Sequence, residues 1–430
     1  MIKHLKMINV GPAPSMELEF ARRLNLLTGD NGLGKSFLLD IAWWALTRRW
    51  PAEVNKKLPA GLMAKPNETG KGIIEFSLTA QTRPITYTSI FDRQAQAWTG
   101  KAGRPWNPGL VLYAQVDGSF AVWDPARNYW RKRGNVDVQD RPPAYVFNSR
   151  EVWDGLWDEA RGLLCNGLIA DWSGWQKEKG SVFKILCNVL QSLSPSDEEK
   201  IEPGSLTRIG LDDPRDIPTL KMPYGLSVPV LHASAGIRRI IALAYLLVWS
   251  WEEHKKACKI LDQGTASQVV LLIDEIEAHL HPKWQRRIIK SLLSVIVSLT
   301  RKKNVQIIAA THSPLVMASV EPFFDQKIDA WFDLDFTTAN GEPPQVVLSN
   351  RPFIRRGNAA NWLTSEAFDM LSAGSLESET VLQKAALAMS DEKFGAKEAK
   401  QLDKELRETL GDTDPFWIRW RFVAEKKGWL

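Results

Sequence analysis

Seven residues of this chain have the types and neighbours needed to manage a nucleoside triphosphate: Lys35, Ser36, Asp274, Glu275, His312, Ser234 and Arg238. Lys35 and Ser36 close the run Gly29-Asp30-Asn31-Gly32-Leu33-Gly34-Lys35-Ser36, which fits G-x-x-x-x-G-K-[ST]. Gly29, Gly32 and Gly34 let the backbone bend, so that the N–H groups from Asp30, Asn31 and Leu33 through Phe37 converge on phosphate oxygens. A helix starting near Lys35 points its positive end at the same place. Lys35 is then expected on the β- and γ-phosphates, and Ser36 on Mg²⁺.

The elements that must position these groups are legible around them. Asn25-Leu26-Leu27-Thr28 is an apolar run before the glycines, and Phe37 to Leu46 is an apolar run of helical length after them. Strand, glycine-rich turn and helix is the geometry the loop needs. Val269-Val270-Leu271-Leu272-Ile273 predicts a central parallel strand with Asp274 and Glu275 at its carboxyl end, where open α/β sheets place ligands. Asp274 fits the magnesium carboxylate, and Glu275 the base that orients the attacking water. Val305 to Ala310 predicts a third strand, ending in Thr311-His312-Ser313-Pro314. His312 would then lie at the same sheet edge and sense the γ-phosphate; a plain turn histidine ahead of Pro314 is the alternative.

Ser234-Ala235-Gly236-Ile237-Arg238-Arg239 opens a predicted helix with Ser234 as its N-cap. Two cations so close to a helix N-terminus oppose its dipole, so the pair is expected to meet an anion, the natural one being a second subunit's γ-phosphate.

In this order, the phosphate loop, the Ser-x-Gly-x-x-Arg helix, the Asp-Glu strand and the Thr-His-Ser turn resemble the ABC class of ATPases. The likeness is narrower still to its non-transporter branch of RecF, SMC-type heads and OLD-type proteins. The stretch from Glu275 to Gln285, with Leu280-His281-Pro282, is similar to the OLD-like group, where His281 would occupy the D-loop. The resemblance implies an α/β P-loop fold with an antiparallel β subdomain and a helical lobe. It also implies a head-to-tail homodimer that sandwiches ATP and Mg²⁺ between Lys35 of one copy and Ser234, Gly236 and Arg238 of the other. The signature departs from the transporter form Leu-Ser-Gly-Gly-Gln. Gln139 and Asn148 are the candidates for the Q-loop, neither with a motif around it.

The expected divisions are an N-terminal lobe over 1–148, a helical lobe over 149–235, the second half of the ATPase core over 236–350 and a helical tail over 351–430. Residues 49–70 are expected as a surface insertion, with Pro51 ending the first helix. Residues 72–125 are expected as antiparallel strands, including a hairpin at Asp117-Gly118, and 196–230 as loop. In the C-terminal part, ahead of the tail, Asp333-x-Asp335 also fits a TOPRIM nuclease, but no upstream acidic strand accompanies it. The ending Phe416-Trp417-Ile418-Arg419-Trp420-Arg421-Phe422 predicts a helix docking its aromatic residues on the core, or an interaction surface. It resembles the tails of ATPase subunits in Septu-type anti-phage systems, which work with a separate HNH nuclease, and less closely PARIS-type ATPases.

Composition agrees with a large intracellular machine. The 430 residues carry a net charge of +5, which permits DNA contact without requiring it. No run of 18 apolar residues predicts a membrane span, and the N-terminus lacks a signal-peptide core. The cytoplasm is therefore the expected location, with Cys165, Cys187 and Cys258 as buried thiols. Arg127 to Gly134 is a basic-aromatic run that fits either a nucleic-acid grip or a solvated hairpin tip. The function this predicts is an ATPase that closes around ATP to gate an effector nuclease. A RecF-like DNA clamp and a scaffold with structural ATP are the alternatives.

Overall fold

The computed structural model describes residues 1–430 except 68–69, 80–83, 101–105, 130–131, 134–135, 138–142, 302–303, 338–343, 392 and 430. The chain divides into two compact units, Met1–Arg355 and Arg356–Leu430.

The first unit is built on an eight-stranded sheet. Its order is Tyr145–Phe147, Phe120–Trp123, Leu110–Ala114, Gln268–Ile273, Asn304–Ala310, Leu24–Gly29, Asp329–Thr337 and Gln345–Arg351. The five strands from Leu110–Ala114 to Asp329–Thr337 run parallel, so their carboxyl ends share one edge. Burial on both faces explains their sequences: Gln268–Ile273 and Asn304–Ala310 are near-continuous apolar runs because helices cover each side. The helix Lys35–Thr47 packs its Trp43, Trp44 and Leu39 into the core beneath this sheet. A second, antiparallel sheet of five strands contains Ser15–Glu19, Ile2–Ile8, Ile73–Leu78, Ile85–Asp92 and Ala97–Trp98, and shares that core.

Several expectations change here. Residues 72–125 do not form one antiparallel set. Ile73–Leu78 and Ile85–Asp92 do pair antiparallel, but Leu110–Ala114 lies parallel to Gln268–Ile273 in the main sheet. All five of its side chains are buried, which suits a strand covered on both faces rather than a half-exposed hairpin arm. The Asp117-Gly118 turn does connect it to Phe120–Trp123, with Gly118 at φ 86°. The 49–70 stretch is no loose insertion: Trp50, Leu58 and Ala64 are buried, and Trp50 stacks on Trp44 at 5.4 Å. The first helix ends at Arg48 in the left-handed conformation, and Pro51 instead begins a short helix, Pro51–Val54. Residues 196–230 include a three-stranded antiparallel sheet, Glu202–Pro203, Thr219–Lys221 and Ser227–Pro229. Cys165 and Cys258 are buried, whereas Cys187 is half-buried.

The second unit holds the helices Leu376–Ser390, Ala396–Thr409 and Phe416–Lys426 around a core of its own. Trp417 and Trp420 serve that core; Trp420 Nε1 donates to Asp403 at 2.9 Å. Ile418, Arg419, Arg421 and Phe422 are exposed on the same helix. Among the described residues no helix is long and apolar enough to cross a membrane.

Candidate functional site

Three adjacent strand ends converge on one place. Leu24–Gly29 ends in the phosphate loop, Gln268–Ile273 in Asp274 and Glu275, and Asn304–Ala310 in Thr311 and His312. The loop glycines adopt backbone that other residues resist: Gly29 has φ 126°, Gly32 φ 82° and Gly34 φ 101°. At Gly29 a side chain is sterically impossible as well, because a Cβ would meet the Leu334 carbonyl oxygen at 2.2 Å. Asp30, Asn31, Gly32 and Ser36 are exposed in the loop, Gly34 and Phe37 are half-buried, and Leu33 is buried as its anchor.

Lys35 is buried at the base, and its Nζ donates to the carbonyls of Gly29 (2.7 Å) and Asp30 (2.8 Å). Burial lowers its pKa, opposed by the negative charges of Asp274, Glu275, Asp30 and Glu277. A cation held by neutral carbonyls among four carboxylates is poised to exchange those carbonyls for phosphate oxygens.

Asp274 is buried, and burial raises its pKa, while the Ser36 hydroxyl against it acts the other way. Its Oδ1 has no hydrogen-bond partner among the described residues. A buried, unpaired carboxylate oxygen beside a serine hydroxyl is a hard oxygen-donor set, which suits Mg²⁺. Glu275 is half-buried, and its carboxylate makes no hydrogen bond among the described residues. Its backbone sits at φ 44°, in the left-handed region that a glutamate enters at a cost. The His312 imidazole is half-buried, and its pKa is lowered first by burial and then by Lys35, so it is neutral at pH 7 and able to donate one hydrogen bond.

Three groups at this site have no motif in the sequence, and a fourth closes the Ser-x-Gly-x-x-Arg run without a role of its own read from it. Glu277 is the first: it accepts from the Thr311 hydroxyl at 2.7 Å and from the His312 backbone N–H at 2.5 Å, tying the segment after Glu275 to the switch turn. The spacing Glu-x-Glu after a buried strand was the available signal. Gln115 is the second. It follows Ala114, whose carbonyl accepts from Asp274 N at 2.9 Å, so it lies beside the acidic strand end. It is 2% exposed, and its amide nitrogen and oxygen both lack a hydrogen-bond partner among the described residues. Neither Q-loop candidate compares with it: Asn148 caps the helix Ser149–Asp154 through a box with Glu151, and Gln139 lies outside the described residues. The third is Asp40, one turn beyond Ser36, which accepts from Tyr113 Oη at 2.9 Å; burial pushes its pKa up to about 7. The fourth is Arg239.

Arg239 overturns the expectation of an anion-seeking pair. Its guanidinium is committed within the chain, to the carbonyls of Val116 (2.7 Å), Asp274 (2.9 Å) and Glu275 (3.1 Å). Arg238 alone is exposed, as are Ser234 and Ala235. Ser234 Oγ accepts from Ile237 N at 3.4 Å and caps the 26-residue helix Ala235–Ile260. Gly236 is buried because that helix crosses the main chain of His279: a Cβ at Gly236 would lie 2.5 Å from the His279 carbonyl oxygen. His281 is exposed and caps the short helix Pro282–Gln285.

The other chemical candidates are accounted for structurally. Asp333 accepts from the Thr28 hydroxyl at 2.7 Å and pairs with Arg351, which also reaches Asp335, so Asp-x-Asp braces the sheet edge, and among the described residues no metal-holding cluster includes it. Arg127 pairs with Glu253 and Asp124, Asn128 is buried and Tyr129 packs edge-on against Trp123. Arg127, Asn128 and Tyr129 are therefore engaged within the chain; Trp130, Arg131 and Gly134 lie outside the described residues.

A phosphate loop, an acidic strand end and the Thr-His-Ser turn on one edge of a mixed sheet define a P-loop ATPase. Residues 24–318 match the family described as AAA domain, putative AbiEii toxin, Type IV TA system, and the chain belongs to that family. It is 26% identical over 209 residues to the Retron Ec83 probable ATPase of Escherichia coli, covering 47% of this chain but 33% of that protein. It is 23% identical over 320 residues to the Septu protein PtuA of Bacillus thuringiensis, covering 73% and 72% of the two chains. The Retron Vc95 probable ATPase of Vibrio cholerae is 47% identical over 100 residues, 22% of this chain and 17% of that protein. Among solved structures, the SMC head domain from Thermotoga maritima aligns with a TM-score of 0.38 at 14% identity, over 82% of this chain and 99% of that one.

Proposed function

We propose that the protein is a cytoplasmic ATPase that binds ATP with Mg²⁺, closes as a homodimer around it, and thereby gates an effector nuclease supplied by another chain in anti-phage defence. The observation that carries the dimer reading is the division of the signature helix. Arg239 is consumed by the chain's own acidic strand end, while Ser234 and Arg238 face outward from the same first turn. A cation at a helix N-terminus is favourable only when an anion meets it, and a second copy's γ-phosphate supplies one. The defence role rests on relatives named as retron and Septu proteins.

The chain's own residues divide the work. N–H groups of residues 30–37 hold the β-phosphate, and Lys35 shifts from the Gly29 and Asp30 carbonyls to the β- and γ-oxygens. Ser36 and Asp274 would hold Mg²⁺, which supplies charge neutralisation to the phosphates. Glu275, whose carboxylate has no hydrogen-bond partner among the described residues, accepts a hydrogen bond from the attacking water and aligns it with the γ-phosphorus. Neutral His312 donates to a γ-oxygen. The partner's Ser234, Gly236 N–H and Arg238 close the opposite side.

Two experiments test this reading. Glu275→Gln should trap ATP and convert the chain to a stable dimer in light scattering with ATP, and Arg238→Glu in that background should prevent it. A Glu275→Gln chain that stays monomeric at saturating ATP overturns the dimer. For the effector, cells expressing the chain together with its genomic neighbours should lose phage protection when Lys35 is replaced; protection that survives removes the gating role. Arg127 and Tyr129, engaged within the chain, weaken the DNA-clamp alternative, and steeply salt-dependent DNA binding would restore it.

A further inference from the structure

The first turn of the signature helix is fastened to the segment carrying Glu275 at two points. One is the close crossing of Gly236 and the His279 carbonyl. The other is Arg239, whose Nη2 donates to the carbonyls of both Asp274 and Glu275 while Nη1 donates to that of Val116. These acceptors belong to two separate pieces of chain: the turn that follows Gln115, and the acidic strand end.

Three features set this guanidinium apart from an ordinary brace. Among the described residues its hydrogen bonds all go to neutral main-chain carbonyls, although Asp274, Glu275, Glu277 and Asp117 surround it and attract it. It holds the carbonyl of a glutamate in left-handed backbone, a conformation that persists only where neighbours over-determine it. The bend is also constrained by Ala278 N, which donates to the same Glu275 carbonyl at 2.9 Å, and by Ile276 N, which donates to Ala310 O at 3.2 Å. By taking the carbonyls rather than the carboxylates, Arg239 leaves the Glu275 carboxylate without a hydrogen-bond partner among the described residues and anchors the main chain that carries it. Arg239 also lies within two turns of Ser234 on one helix, so a shift of that turn must move the Glu275 main chain or break these bonds.

We infer that Arg239 is a positioning residue for hydrolysis: it sets the main chain of Glu275 and relays engagement of Ser234 and Arg238 to it. The positioning half stands on contacts within one chain. The relay half rests on the two-copy reading above.

The test uses the full chain with Arg239→Gln and Arg239→Lys, alone and combined with Glu275→Gln. Arg239→Gln should lower kcat at least 30-fold while the KM for ATP and the Kd for a fluorescent ATP analogue with Mg²⁺ stay within threefold. Arg239→Lys, which keeps the charge and part of the bonding, should recover a measurable share of kcat. The double variant should turn over within twofold of Glu275→Gln alone, because Arg239 acts through Glu275. A kcat within threefold of the parent overturns the inference. So does a loss matched by an equal loss of ATP affinity and a lower melting temperature, or a double variant whose losses multiply. If Glu275→Gln remains monomeric with ATP, the relay is withdrawn, whereas a selective kcat loss in Arg239→Gln still upholds positioning.

Discussion

Replacing Lys35 by methionine isolates what the buried ammonium contributes to nucleotide binding. In the free chain Nζ donates two short bonds to neutral carbonyls, those of Gly29 and Asp30. In the proposed ATP complex two charged phosphate oxygens would take their place. A hydrogen bond to a charged acceptor is worth about 1.5–3 kcal/mol net, against about 0.5–1.5 kcal/mol for a neutral one. Each exchange therefore gains roughly 1–2 kcal/mol, and two gain roughly 2–4 kcal/mol. Methionine fills a similar volume but can make neither set, so ATP affinity should fall roughly 30- to 700-fold. The fold should survive, because removing the ammonium also removes its burial penalty, the leading cause of its lowered pKa. Titration calorimetry with a non-hydrolysable ATP analogue and Mg²⁺ measures the loss, and a thermal melt checks the fold. A Kd within threefold of the parent, with an unchanged melting temperature, would refute the exchange argument and the assignment of this loop as the phosphate site.

Asp40→Asn should stabilise the chain at high pH. The folded chain holds a proton on Asp40 up to about pH 7, which the unfolded chain releases near pH 4, so the buried carboxyl costs stability progressively over that interval. Asparagine keeps an acceptor for Tyr113 and should gain at most about 4 kcal/mol at pH 8 and nothing below pH 4, read by urea unfolding at both pH values. Gly29→Ala places a Cβ 2.2 Å from the Leu334 carbonyl in a conformation that L residues avoid, and should cost at least about 2 kcal/mol and abolish nucleotide binding in calorimetry. Glu277→Gln weakens two hydrogen bonds to the switch turn and should lower kcat roughly tenfold with little change in the ATP Kd, by steady-state kinetics. Trp420→Ala empties the centre of the second unit and should cost that unit about 3–5 kcal/mol, seen as lost amide-exchange protection in Ala396–Thr409 and Phe416–Lys426.

The legible and the hidden parts of the site differ in which atoms they use. The phosphate loop can be read because its spacing of glycines states a backbone conformation outright, and Lys35 and Ser36 follow at fixed positions. Asp274 and Glu275 can be read because two acids end a strand too apolar to lie at the surface. The main sheet is legible for the same reason at Val269–Ile273 and Val305–Ala310, but its place for Leu110–Ala114 is not. There Leu-Val-Leu-Tyr-Ala lacks the alternation of a half-exposed arm, the one local sign that both its faces are covered. Arg239 could not be read by any such rule. Its partners are three carbonyls, and a carbonyl is the one acceptor every residue carries, so no residue type marks the Arg239 contact in the sequence. Dipole reasoning treated Arg238 and Arg239 alike because they are neighbours, yet successive residues on a helix diverge by about 100°, since 3.6 residues make a turn. One therefore faces the sheet edge and the other faces outward. The same divergence is what lets a single helical turn hold the catalytic segment on one side while presenting Ser234 and Arg238 on the other, so the two functions assigned to this turn require two adjacent arginines rather than one.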